Sequence, residues 1–263
     1  ATMIAASRID ASQLKRPIYI VVTADEETGL FGAKYVAENS QMLRQDKPIY
    51  GVIAEPTTLI PVYAHKGGVH VAVTSRGVAA HSSTDKGVSA NFQLARFMAE
   101  MADLKELVMQ DRSFMNDEFD PPTNGFNMTM TDFNTPGNVT APLAICRVGF
   151  RGMPNANREK LLQMILASAE KYGLEHEVHL FEPLYVAKDS LLAQTAVRAT
   201  NGRQPETVPY GTDGLYLQDV IPQMVVLGPG SISVAHTVGE FIPVDELVQA
   251  VDVYEKMIVD LCM

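Results

Sequence analysis

The period of the hydrophobic pattern changes twice along this chain, and that change constrains the fold more than any other feature. Up to about residue 66 the apolar residues come in near-continuous runs, at 17–23 (Pro-Ile-Tyr-Ile-Val-Val-Thr) and 48–54. Such runs suit strands buried on both faces of a parallel sheet. Residues 1–9 and 32–44 read as helices, and the spacing is that of βαβ units. From residue 69 the pattern changes. Residues 69–75 alternate as a half-exposed strand does, and 88–101 form an amphipathic helix. Residues 126–133 and 143–151 read as strands, 157–172 as a helix closed by Gly173, and 174–181 alternate again. This β-α-β-β-α-β order is the ferredoxin-like arrangement. The first pattern then resumes, with a helix over 190–201 ended by Gly202 and a third buried strand over 222–227. A terminal helix over 245–261 follows, with Asp245 as its N-cap. Leu247, Val248, Val251, Tyr254, Ile258 and Leu261 stand there at helical spacing. The expectation is an α/β domain of residues 1–66 and 183–263, with a small ferredoxin-like domain of residues 67–182 inserted into it.

Composition excludes several classes. Twenty-one basic against 31 acidic residues give a formal net charge of −10. That disfavours nucleic acid, whose affinity comes largely from phosphate neutralisation, and it disfavours anionic membranes. No run approaches the ~18 apolar residues of a membrane span. The two cysteines, Cys146 and Cys262, do not make a disulfide scaffold, so a reducing cytoplasm is expected. The first residues, Ala1-Thr2-Met3-Ile4-Ala5-Ala6, carry neither a signal-peptide pattern nor a capping residue. The natural polypeptide is expected to start further upstream.

Each of the three apolar runs leads into a possible metal ligand: Asp25-Glu26-Glu27, then Glu55-Pro56-Thr57, then Gly228-Pro229-Gly230-Ser231 and His236. In open parallel sheets ligands gather beyond the carboxyl ends of the strands, so residues far apart in sequence converge there. A single acidic residue after a strand is most simply a solvated loop residue; three such positions on three strands point to a site. Carboxylate and imidazole donors suit zinc, cobalt or manganese. Adjacent acids diverge in extended backbone. One of Glu26 and Glu27 is therefore expected to bind metal while the other faces water as a general base. His176 and His179 lie on opposite faces of a strand, which makes them poor co-ligands. They are read as structural, as are His65 and His70.

Four motifs, taken in order, carry a resemblance. They are Ala24-Asp25-Glu26-Glu27-Thr28-Gly29; Ala54-Glu55-Pro56-Thr57; Arg76-Gly77 with Ala80-His81-Ser82-Ser83; and Leu227-Gly228-Pro229-Gly230-Ser231-Ile232 with Ala235-His236. Together they resemble the family of acetylornithine deacetylases, succinyl-diaminopimelate desuccinylases, aminoacylases and related zinc peptidases, over essentially the whole chain. The resemblance implies a two-metal hydrolase of N-acyl amino acids, with the inserted domain as lid and homodimer interface. It implies Glu26 as general base, Glu27 and His236 on one ion, and Glu55 on the other. It further implies His81 as oxyanion donor, and Asn138, Arg151 and the segment Gly211-Thr212-Asp213-Gly214 near the substrate, with Gly211 and Thr212 as its contacting residues. Within that family the stretch 210–231 looks most like the acetylornithine deacetylase branch.

The resemblance also implies an upstream His-x-Asp motif and a bridging Asp, and no histidine of this sequence is followed by Asp two residues on. Glu27, Glu55 and His236 alone are too few donors for two ions, so at most one weakly held ion is expected. The alternative expectation is a non-catalytic homologue that dimerises and serves as a binding or regulatory partner.

Overall fold

A computed structural model describes residues 1–263. Along the chain come α1 (Thr2–Ser7), α2 (Phe31–Asn39), α3 (Gln41–Asp46), β1 (Tyr50–Ile53) and β2 (Val62–His65). Then follow β3 (Gly68–Arg76), α4 (Ala90–Val108), β4 (Asn127–Thr131), β5 (Leu143–Phe150), α5 (Arg158–Lys171) and β6 (Glu175–Phe181). The last elements are β7 (Leu184–Tyr185), α6 (Leu191–Ala199), β8 (Glu206–Val208), α7 (Gly214–Leu217), β9 (Gln223–Val226) and α8 (Val244–Cys262). These elements form two compact units, Ala1–His65 with Pro183–Met263, and Lys66–Glu182.

The second unit is a four-stranded antiparallel sheet in the order β4-β5-β3-β6. With α4 after β3 and α5 after β5, this is the strand order of a ferredoxin-like fold. Period-2 patterning explains it: β5 buries Ala144, Cys146, Val148 and Phe150 and turns the intervening residues outward. That face packs with Leu94, Phe97 and Met101 of α4 and Leu161 and Ile165 of α5. His176 and His179 stand on β6 opposite Val73 and His70.

The first unit has a mixed sheet in the order β1-β9-β2-β7, with β8 beside β2. The parallel pair β1–β9 matters most for the site, because Ile53 faces Val226 and both strands end at the same edge. Val62, Leu184, Leu217, Ile221, Met224 and Val226 form the core beneath, with Ala33 of α2 against them. On the terminal helix α8, the residues Ala250, Val253, Tyr254 and Met257 are buried, and the helix packs with α1 and α6.

Several sequence expectations need correction. Residues 17–23 are not a buried strand: they pair with no sheet, and Val22 is 84% exposed. Apolar, β-branched composition favours extended backbone, but a ladder needs a neighbouring strand, and none in this chain lies alongside. Strand β1 is half-buried along its length, as befits the edge of the sheet. The helix expected over 32–44 breaks at Ser40, whose hydroxyl accepts the Leu43 N–H at 3.3 Å and caps α3. Asp245 does not cap α8. Pro243 holds that position, and Asp245 and Glu246 sit in the first turn, where the helix dipole favours acids. Leu247 and Val248 are exposed rather than part of the buried stripe. Cys146 and Cys262 are both free thiols, and burial pushes the Cys146 thiol up to about 11. No helix is long and apolar enough to cross a membrane.

Candidate active site

The parallel register of β1 and β9 builds the first half of the site. The Leu227 N–H donates to the Ile53 carbonyl at 2.8 Å, and the Thr57 N–H donates to the Gly228 carbonyl at 3.1 Å. Thr57 also pairs with Ser231 in an antiparallel bridge. The segment carrying Glu55 is thereby stitched to the loop that runs on to His236. Gly228 is required at this crossing, because a Cβ there would stand 2.5 Å from the Glu55 carbonyl oxygen.

The second half comes from the turn after residue 23. Glu26–Thr28 is a single 3-10 turn, closed by the Leu30 N–H on the Asp25 carbonyl at 2.9 Å. Asp25 and Leu30 both take left-handed backbone, with φ of 59° and 61°, and His236 does so at 60°. Non-glycine residues in that region mark places where the surrounding structure over-determines the backbone, and such places cluster at functional sites. The His236 N–H donates to Glu240 at 3.1 Å, which holds the histidine's backbone in its loop.

Four of the residues singled out in the sequence meet here. Glu27 Oε2 and His236 Nε2 are 3.5 Å apart. Glu26 has its carboxyl raised to about 7, first by burial and then by the charges of Glu55, Glu27 and Asp213, with His236 opposing them. Glu55, half-buried, is also raised, by burial first and then by Asp213 and Glu27, again with His236 opposing. Glu26, Glu27, Glu55 and Asp213 thus form one cluster of negative charge with His236 at its edge. No group of three or more His, Cys, Asp or Glu side chains is drawn tightly enough to hold a metal ion as the side chains stand. The Glu27–His236 pair nevertheless suits a shared ion. Two donors about 2.1 Å from a tetrahedral ion stand roughly 3.4 Å apart, close to the separation here.

Of the remaining candidates, Gly211 and Thr212 directly precede Asp213 of the cluster. Thr212 is buried with its hydroxyl 3.0 Å from His65 Nε2, and it also accepts the Gly214 N–H at 3.2 Å. At Gly211 a Cβ would stand 2.8 Å from Leu215. His81, Asn138 and Arg151 belong to the second unit. His81 Nδ1 lies 2.7 Å from the Ser83 hydroxyl, and the Ser82 N–H donates to the Asn138 carbonyl at 2.9 Å, so these two candidates share one loop cluster. The Arg151 N–H donates to the Asn124 carbonyl at 2.6 Å.

Asp213, expected from the sequence only as part of the Gly211–Gly214 segment near the substrate, joins the carboxylate cluster itself. It is 8% exposed, and its Oδ2 accepts the Thr23 hydroxyl at 2.5 Å, while Oδ1 is buried without a partner. Nothing in the sequence sets Asp213 apart from its neighbours as a charged member of the cluster, since a turn explains an acid between Gly211-Thr212 and Gly214 equally well.

An α/β sheet with Glu55 and His236 beyond its parallel pair and Glu26 and Glu27 brought alongside by a separate turn, with a βαββαβ unit inserted in the chain, is the arrangement of an α/β hydrolytic site. The sequence matches peptidase family M20/M25/M40 over residues 1–260, and the chain belongs to that family. It is 31% identical over 262 residues to an acetylornithine deacetylase of Myxococcus xanthus, covering 97% of this chain and 67% of that protein. It spans 60% of an acetylornithine deacetylase of Yersinia pseudotuberculosis and 68% of one of Vibrio campbellii, so it covers about two thirds of the length of these relatives. The fold is similar to that of aminopeptidase PepT from Bacillus cereus, with a TM-score of 0.66 at 22% identity over 90% of this chain and 62% of that one. It is also similar to an M20 family metallo-carboxypeptidase from Sulfolobus solfataricus, with a TM-score of 0.58 at 17% identity over 89% of this chain and 68% of that one.

Proposed function

We propose that this chain hydrolyses the amide bond of an N-acyl amino acid with the help of a bound metal, in the manner of an acetylornithine deacetylase. The observation that carries the reading is the 3.5 Å Glu27–His236 pair beside Glu26, which sets two donors for one ion next to a carboxylate free to act as a base. The named relatives support the choice of substrate. Glu27 and His236 would hold one ion of zinc, cobalt or manganese, with Glu55 nearby as the donor that a second ion of the complete family site would use. When bound, such an ion polarises the substrate carbonyl and makes water more acidic. Glu26 takes the proton of the attacking water and returns it to the departing amine. His81 donates to the oxyanion, and Arg151 clamps a substrate carboxylate in a bidentate fork. Asn138, Gly211 and Thr212 shape the substrate site. Thr212 does so by its backbone and position, since its hydroxyl is engaged with His65. The unit Lys66–Glu182 acts as lid and dimer interface, and the setting is arginine biosynthesis in the cytoplasm.

The test is a zinc titration by calorimetry on the chain and on Glu27→Ala and His236→Ala, followed by amine release from N-acetylornithine. The expected result is zinc binding that either substitution weakens at least tenfold, with amine released only when zinc is present. Zinc binding without amine release would select the non-catalytic, dimerising reading. Zinc binding that neither substitution changes would overturn the metal assignment.

A further inference from the structure

The cluster beyond β1 and β9 contains a fourth carboxylate, Asp213, to which no chemical role has been assigned. Asp213 is more than nine-tenths buried, yet only one of its oxygens has a partner, the Thr23 hydroxyl. Its location is not accidental. The buried Thr212–His65 bond fixes the turn just before it. Behind it, a Cβ at Gly214 would stand 2.8 Å from Ile53 and 3.1 Å from His65 Nε2, so the backbone is pressed against the end of β1. The carboxylate therefore has little freedom to swing out to water. Its charge is felt at both Glu26 and Glu55. A buried carboxylate with an oxygen left unpaired is costly, and beside like charges it costs more. A fold that holds such a group in place supplies a compensating positive charge when the site is in use.

We infer that Asp213, anchored by Thr23, is a positioning residue of this site: its unpaired carboxylate oxygen supports a divalent cation held by neighbouring side chains, without being one of that ion's own ligands. The inference rests on the metal reading proposed above. Its role is to fix the field opposite the cation and so raise the affinity for a doubly charged ion. Groups behind the ligands of a metal site contribute in this way, and their loss costs about 10–100-fold in affinity.

The experiment compares zinc affinity by calorimetry, and the zinc-induced shift in melting temperature, for the chain, Asp213→Asn, Thr23→Val and His236→Ala. Asp213→Asn is expected to bind zinc about tenfold or more weakly at unchanged stoichiometry. It should melt no lower than the parent in chelator, because the substitution removes an unpaired buried charge. A residue that only braced the fold would show the reverse, a lower melting point in chelator and an unchanged zinc affinity. Thr23→Val keeps the charge and removes its anchor, so it should lose several-fold in affinity. It carries the test where Asp213→Asn does not fold. If both variants bind zinc as the parent does while His236→Ala does not, the Asp213 inference is overturned and the metal reading stands. If His236→Ala also binds as the parent does, both are overturned together.

Discussion

The Tyr254 hydroxyl donates to the Leu227 carbonyl at 2.7 Å, and both residues are buried. This bond ties the middle of α8 to the last residue before the loop that carries His236. Burial raises the tyrosine's pKa, so the phenol stays a donor across the physiological range. Tyr254→Phe keeps the ring and leaves a buried carbonyl unpaired. The expected loss is about 1–2 kcal/mol of unfolding free energy, with an unchanged urea slope. A urea midpoint equal to that of the parent would show that water replaces the hydroxyl.

Glu100 offers a prediction in pH. Its carboxylate is held down to about 2, first by the Lys171 ammonium, then by the Ser168 and Tyr172 hydroxyls, each at 2.6 Å. The group therefore binds α4 to α5 across the second unit. A carboxyl depressed in the folded state contributes its stability above the unfolded value and loses it as pH falls towards the folded one. The window runs from about 4.5 down to about 2. Glu100→Gln should be less stable than the parent at pH 6, and the gap should close steadily below pH 4.5. Urea midpoints at pH 6, 4.5, 3.5 and 2.5 measure it. A gap of constant size over that range would mean that the carboxylate's charge contributes nothing and only its shape matters.

The elements of the second unit that are most legible in the sequence have one wet face and one dry face, as β3, β5 and α5 do. Alternation locates β3 and β5 to within a residue or two, and the apolar stripe ending in Gly173 locates α5; β6 is placed equally well although none of its residues is fully buried. The first unit is harder to read, because a continuous apolar run reports burial propensity and extended backbone but not a pairing partner. Hence 48–54 becomes β1 at a sheet edge, while the equally apolar 17–23 pairs with nothing. In the site, Glu26, Glu27, Glu55 and His236 stood out because each follows a run that reads as a strand. Asp213 follows no such run. Its burial depends on Thr23 and on the His65–Thr212 pair, contacts of 190 and 147 residues' separation that no local pattern encodes.

Gly228 gives the sharpest test of how the fold positions the site. Its φ is not positive, so the demand for glycine is one of space rather than of a left-handed φ. A Cβ would meet the Glu55 carbonyl oxygen at 2.5 Å and the Ala54 carbonyl carbon and oxygen at 3.0 Å, all of them backbone atoms that no rotamer change can move aside. Gly228→Ala must therefore push the ends of β1 and β9 apart. The cost is roughly 1–3 kcal/mol, the range for overpacking a closed site. The displacement falls on the segment that carries Glu55 and on the loop that leads to His236, so zinc affinity should fall along with stability. Gly137→Ala is the control, because a Cβ there meets nothing within 4 Å. Thermal melts and zinc titrations on the two variants separate the effects. Loss of both stability and zinc affinity in Gly228→Ala, with neither changed in Gly137→Ala, is the expected result. Loss of stability with full zinc affinity would mean that the cation is held without the β1–β9 crossing.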